Sequence, residues 1–275
     1  MHKIVVQILL SFLIVSCNAN KSETNTVSGE KDTLYRIQTS MGDILISLYD
    51  KTPQHKKNFH KLVSQNFYDD VLFHRVIDDF MIQTGDPESV DADSHQMLGS
   101  GGPEYTIPSE VNPDYFHKKG AIAAARQGDD INPDRASSSS QFYIVEGKIM
   151  TDDMLDKIEN QINQQNIQLY YKNLLDSLKN AALENDQVPD YSLINPMAKK
   201  LATEKYNNNK FVFTQEQRKI YKTQGGTPHL DGGYTVFGEI VEGMDVLEKI
   251  AAVETGKANR PIEDIRIEKI EIIEK

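Results

Sequence analysis

Between Phe73 and Asp86 the chain reads FHRVIDDFMIQTGD, one arginine and one glutamine set among phenylalanines and a methionine. The pattern predicts two short strands, around Phe73–Ile77 and Phe80–Gln83. Successive side chains of a strand point to opposite faces. Phe73 and Arg75 are therefore expected on one face, with Leu72, His74 and Val76 on the other. Met81 and Gln83 point together and Ile82 points away. One side of the hairpin then offers Arg75, Met81 and Gln83, with Phe80 near the turn. A similar split in QFYI sets Gln141 and Tyr143 against Phe142 and Ile144.

A guanidinium over an apolar surface suits a substrate that is uncharged but develops an unusual lone pair. A prolyl amide is such a group. Rotation about a peptide bond meets a barrier of roughly 18–20 kcal/mol because the nitrogen lone pair is delocalised into the carbonyl. In the twisted state that lone pair localises on nitrogen and can accept a hydrogen bond. A donor aimed there stabilises the twisted form more than either planar isomer, which is what catalysis requires. The proline ring needs an apolar cup, and the flanking backbone needs a polar group such as Gln83. Neither a nucleophile nor a metal is called for.

The elements that would carry these residues can be read around them. LYRIQTSMGDILISLY alternates as a hairpin from Leu34, and Thr52-Pro53 supplies a cap and first-turn proline for a helix with Phe59, Leu62 and Val63 on its core face. His55 and His60 lie on that helix without metal-ligand spacing, so they are read as structural or solvated. A long loop from Gly85 to Val111 contains GSGGPEY, read as a turn because no lysine-threonine completes a phosphate loop. GAIAAAR (120–126) and QFYIVEG (141–147) are strand-like. From 151 to 222 helical spacing takes over, capped by Thr151 or Asp152, broken at Pro189 and Pro196, with a last short helix in FTQEQRKIYK. GYTVFGEI and IRIEKIEII then return to β character, so 151–222 reads as a helical insertion.

Four blocks, FHRVIDDFMIQTGD, GAIAAAR, ASSSSQFYIVEG and HLDGGYTVFGEIVEGMDVL, closely resemble in order the motifs of cyclophilin-type peptidyl-prolyl cis-trans isomerases. The resemblance covers about Leu34–Gly147 and Gly225–Ile273. It implies a mainly β fold: an eight-stranded antiparallel β-barrel capped by helices, with the active site on its outer surface and no cofactor. By position it implies Arg75 as the catalytic arginine, Phe80 and Met81 lining the proline pocket, and Gln83 holding the substrate backbone. Ala125 and Arg126 fall on a backbone-binding edge where the family commonly has Ala-Asn. Gln141 joins the substrate-binding set. Tyr143 replaces a pocket phenylalanine and adds a hydroxyl at the pocket wall. Leu230 matches a pocket leucine, and Tyr234 stands where many members have histidine. His229 takes the place of a tryptophan that helps bind cyclosporin, so weak cyclosporin binding is expected.

Other readings of these residues are less chemical. Gln83 and Gln141 can satisfy buried backbone groups, His74 can order local structure, and the serine run 137–140 lacks the G-x-S-x-G of a nucleophile elbow. The apolar residues of the insertion fit packing onto the barrel, with an arm that contacts clients as the alternative.

At the N-terminus, His2 and Lys3 precede an apolar run from Ile4 to Val15, the length of a signal-peptide core. It ends in IVSC, which resembles a bacterial lipobox, so residues 1–17 are read as a lipoprotein signal with Cys17 the lipidated residue. Residues 18–33 are polar and aperiodic, as a tether would be, before a domain at 34–275. Cys17 is the only cysteine, which excludes a disulfide within the chain. A formal charge of −11 over 275 residues, with no basic stripe, argues against a nucleic-acid partner. The leading expectation is a lipid-anchored isomerase in the cell envelope acting on proline-containing polypeptides. The alternative is a proline-segment binding module or chaperone with little or no turnover.

Overall fold

A computed structural model of the chain describes residues 33–185 and 188–274. The signal, lipobox and nearly all of the tether read from the sequence lie outside the described residues. The described residues form one compact unit.

Strands β1 (Thr33–Thr39) and β2 (Gly42–Leu48) form the first hairpin, followed by α1 (Pro53–Ser64), β3 (Arg75–Ile77) and β4 (Met81–Thr84). The short β5 (Thr106–Ile107) and β7 (Ser137–Ser138) pair with each other, flanking β6 (Ala121–Ala124), and β8 is Phe142–Val145. Helices α2 (Asp152–Glu184), α3 (Tyr191–Asn208) and α4 (Gln215–Thr223) follow, then β9 (Val236–Glu242), α5 (Met244–Ala251) and β10 (Ile267–Glu274). Eight strands make one antiparallel sheet in the order β10-β1-β2-β9-β6-β8-β4-β3. Its ends approach each other. Leu72 bridges Arg266, the Phe73 amide donates to the Ile265 carbonyl (2.9 Å) and the Ile267 amide to that of Val71 (2.8 Å), curling the sheet into the barrel-like form expected.

Alternation builds the core. Ile37, Ile44, Ile46, Ile82, Ile122, Phe142, Ile144 and Phe237 meet inside, closed over by Phe59 and Leu62 of α1 and by Leu247 and Ile250 of α5. The opposite face of β4, β6, β8 and β9 is apolar as well. Met81, Ala121, Ala123, Tyr143, Val145 and Val236 form a second cluster there. A strand such as FYIV that is hydrophobic at every position is buried on both sides, and its outer side is the floor of the site described below.

Three local expectations are corrected. Phe73 and Arg75 do not share a face: Phe73 is in the inner core and Arg75 is half-exposed outside. At Leu72–Phe73 the chain pairs with the segment leading into β10, and only from Arg75 does it pair with β4, so the two-residue alternation is interrupted at His74. Pro196 does not break a helix but lies inside α3, five residues after its start and outside the first turn. Thr52 occupies the N-cap position of α1, but its side chain makes no cap bond. Glu110 performs that role instead, accepting from the amides of Gln54 (3.1 Å) and His55 (3.0 Å) and from His55 Nδ1 (2.6 Å). Thr151 caps α2 as expected, accepting from the Met154 amide.

The insertion is anchored at one end. Leu155 and Ile162 of α2 pack with Met150, Phe213 and Tyr221, whereas Leu183, Tyr191, Leu193 and Met197 at the far end of the α2–α3 pair are exposed. The near half of the apolar residues thus packs chiefly within the insertion itself, with Met150 and Phe116 beside it.

Candidate active site

Strand register sets the site. Arg75 of β3 lies opposite Gln83 of β4, Gln83 opposite Tyr143 of β8, and Tyr143 opposite Ala123 of β6. One row of side chains thus runs across four strands on the outer face of the sheet. Met81, opposite Val145, lies one row along. Phe80, just before β4, is fixed by its carbonyl, which accepts from the amides of Glu146 (3.1 Å) and Gly147 (3.0 Å).

Together Arg75, Phe80, Met81, Gln83, Ala125, Arg126, Tyr143, Leu230 and Tyr234 line a hollow of about 110 Å³. An apolar cavity of about 150 Å³ holds benzene, so this hollow is on the scale of a five-membered ring. His229 stands beside it, its ring 5.4 Å from that of Phe80, and burial lowers its pKa. Gln141 lies behind Gln83. Of the candidate site residues named from the sequence, Cys17 alone falls outside the described residues.

The arginine is held by a relay of amides. Arg75 Nη1 donates to Gln83 Oε1 (3.2 Å), Gln83 Nε2 to Gln141 Oε1 (3.1 Å), and Gln141 Nε2 to the Gly101 carbonyl (2.8 Å). The guanidinium also sits 5.8 Å from the Phe80 ring centroid, and Nη1 is 4.0 Å from Met81 Sδ. Both bonds use Nη1, so among the described residues the other guanidinium N–H groups remain available. Partial burial lowers the Arg75 pKa, although a guanidinium stays charged in proteins. Gln83 has both ends of its amide engaged, and in this arrangement it orients Arg75.

The loop beneath the relay is clasped by Asp86, a buried carboxylate accepting from the amides of Gly99 (2.6 Å), Gly101 (3.3 Å) and Glu88 (2.9 Å). Those glycine amides are thereby occupied, in keeping with a turn rather than a phosphate cradle.

One replacement behaves differently from expectation, and another takes a role the sequence left open. Tyr143 keeps its ring in the hollow, but its hydroxyl is not at the wall. It turns inward to His117 Nε2 (3.0 Å), while His117 Nδ1 donates to Asp231 Oδ1 (2.7 Å) and the Tyr221 hydroxyl of α4 donates to Asp231 Oδ2 (2.6 Å). Burial raises the pKa of Tyr143 well above the ordinary tyrosine value. No local spacing links residues 117, 143, 221 and 231, so this network had no signal in the sequence. Arg126 does not reach outward. Its Nε donates to the Gly233 carbonyl (2.7 Å) and Nη1 to the Gln127 carbonyl (2.8 Å), Nη1 forms an ion pair with Asp129 (2.7 Å), and the guanidinium lies 4.4 Å from the centre of the Tyr234 ring. It closes the pocket wall. Ala125 spends both backbone groups within the fold, its amide on Gln141 and its carbonyl on Ser138. Its methyl lines the hollow instead.

An arginine with spare donors at the rim of a ring-sized apolar hollow can bind a prolyl ring and address its nitrogen. A family model described as cyclophilin type peptidyl-prolyl cis-trans isomerase/CLD matches residues 34–167 and 194–272. The chain belongs to the cyclophilin-type peptidyl-prolyl cis-trans isomerases. The match enters the helical segment from both sides, leaving only 168–193 of that segment unmatched. Among curated relatives, a Staphylococcus saprophyticus protein named "Putative peptidyl-prolyl cis-trans isomerase" is 28% identical over 256 residues, covering 93% of this cyclophilin and 99% of its own length. A Streptococcus pyogenes "Putative bifunctional phosphatase/peptidyl-prolyl cis-trans isomerase" is 30% identical over 86% of this chain, which spans 38% of that protein. A crystal structure of a Cryptosporidium parvum cyclophilin-type isomerase shares the fold, with a TM-score of 0.53 at 19% identity over 88% of this chain and 98% of that one. The same protein has also been solved in the presence of the dipeptide Ala-Pro.

Proposed function

We propose that this cyclophilin accelerates folding of exported polypeptides by twisting their prolyl bonds against Arg75, and that it does so from a lipid anchor on Cys17. The observation that carries the catalytic part is the position of the Arg75 guanidinium, half-buried at the hollow and fixed by Gln83. The proline ring enters the cup of Phe80, Met81, Tyr143 and Leu230. As the bond rotates, the nitrogen becomes pyramidal and its lone pair points to the rim. A free N–H of Arg75 donates to it. Because Gln83 and Gln141 hold the guanidinium beforehand, little reorganisation is needed at that moment. The apolar floor excludes water, which strengthens the bond relative to bulk solvent.

X-Pro bonds isomerise unaided in tens to hundreds of seconds, slow enough to limit folding. A compartment that receives unfolded chains gives such a catalyst its work, and the signal-like N-terminus supports that location. The catalytic reading is tested by isomerisation of a proline tetrapeptide. Loss of one preorganised donor of this kind costs about 10²–10³ in rate, so Arg75→Ala should lower kcat/KM by about that factor. Equal rates for the two proteins would refute it.

A further inference from the structure

A second groove adjoins the proline pocket, and the insertion builds one of its walls. Gln161, Gln164, Gln165 and Gln168 line it from α2, with Arg126 and Tyr234 opposite, around a volume of about 830 Å³. It shares Arg126, Leu230 and Tyr234 with the proline pocket, so the two are continuous. Positions offset by three, four and seven residues share one face of a helix. All four glutamines are exposed.

That wall is fixed in place. Ile162, at the groove's edge, and Asn163, turned away from it, are buried at 5% and 3% exposure. Asn163 brackets Phe211, donating to its carbonyl (2.8 Å) and accepting from its amide (2.9 Å), and Glu159 accepts from the Phe213 amide (3.0 Å). The glutamines therefore face the groove from a settled helix.

The chemistry of the lining selects the occupant. A primary amide offers a donor and an acceptor without charge, the same pair that a peptide group offers. The charged residues mostly cancel. Arg126 and Arg135 both pair with Asp129, at 2.7 and 2.8 Å, and Asp231 is engaged by His117 and Tyr221. That leaves Lys172 and Asp130 as opposite charges in the lining. Nothing there favours a phosphate, a carboxylate or a cation over a neutral chain.

We propose that the polypeptide flanking the bound proline on this side runs through the groove, its peptide groups hydrogen-bonded by Gln164, Gln165 and Gln168 whatever its side chains. This rests on the isomerase reading and extends it: the insertion makes the enzyme favour long, unfolded chains over short peptides. The test compares the full chain with a Gln164→Ala/Gln165→Ala/Gln168→Ala variant on two substrates. One is a proline tetrapeptide. The other is a peptide of roughly twelve residues with a central proline, which at ~3.4 Å per residue can pass through both pocket and groove. The replacements lie on an exposed helical face where alanine is a good helix former, and circular dichroism checks the fold. Losing two or three ordinary hydrogen bonds should raise KM for the long peptide about tenfold, with kcat/KM for the tetrapeptide unchanged. An unaltered KM for the long peptide, or an equal loss on both substrates, would overturn the groove assignment. Failure of the unmodified chain to turn over the tetrapeptide would instead overturn the isomerase reading beneath it.

Discussion

Replacing His74 with phenylalanine should remove a defined share of this protein's acid sensitivity. His74 is 4% exposed, in the break between the barrel seam and β3. Among the described residues, neither ring nitrogen has a partner of good hydrogen-bond geometry. Burial is the largest influence on it and pushes its pKa down from 6.5 to about 4; Asp86 and the Leu72 backbone pull upward without offsetting this, while Arg75 and Arg260 push further down. The folded chain therefore holds His74 neutral where an unfolded chain would protonate it. Between those two values the unfolded state binds more protons, so stability falls as the pH falls from about 6.5 and the full loss is reached below about 4. At 1.36 kcal/mol per pH unit the span is worth roughly 3 kcal/mol. Phenylalanine preserves most of the bulk and cannot be protonated. Urea unfolding of both proteins at steps from pH 7.5 to pH 4 should show the variant gaining about 3 kcal/mol on the wild type over that range. His55 and His229, also shifted down mainly by burial, act in the same direction but are common to both proteins. Parallel stability curves would refute the assignment.

Two further outcomes follow. Tyr143→Phe keeps the ring on the pocket floor but leaves His117 Nε2 buried without its partner, so stability should drop by about 1–3 kcal/mol while kcat/KM changes less than twofold. A hundredfold loss of activity would instead place that hydroxyl in the reaction. Cys17→Ser should move the protein from the membrane fraction of its host to the soluble fraction; retention at the membrane would remove the lipid anchor from the proposal.

Much of the site could be read from strand alternation and motif order. Met81, Gln83 and Tyr143 fall on the outer face because β4 and β8 are regular ladders whose register carries the two-residue period without a slip. The same rule fails at Phe73–Arg75, where the chain changes pairing partner between one residue and the next. A change of partner is a tertiary event and leaves no local pattern. Glu110 supplants Thr52 as the cap of α1 for a similar reason, since the substitute lies more than fifty residues away. The direction of the Tyr143 hydroxyl depends on His117 and Asp231, which only the closed fold brings within reach. Pro196 shows the converse. The fold tolerates it inside α3, where Ala198 and Ala202 pack against neighbours and hold the helix beyond it.

The Tyr221–Asp231 bond has an implication for anyone hoping to trim this enzyme. Tyr221 is contributed by the last helix of the insertion, yet the carboxylate it satisfies also anchors His117 and, through it, the pocket floor. Excising 151–222 as a cassette would strip a buried acid of one partner directly beneath the catalytic surface. A cut confined to 168–193 would spare that bond. The helical segment is thus partly an appendage and partly foundation, and the division between the two runs through the middle of α2.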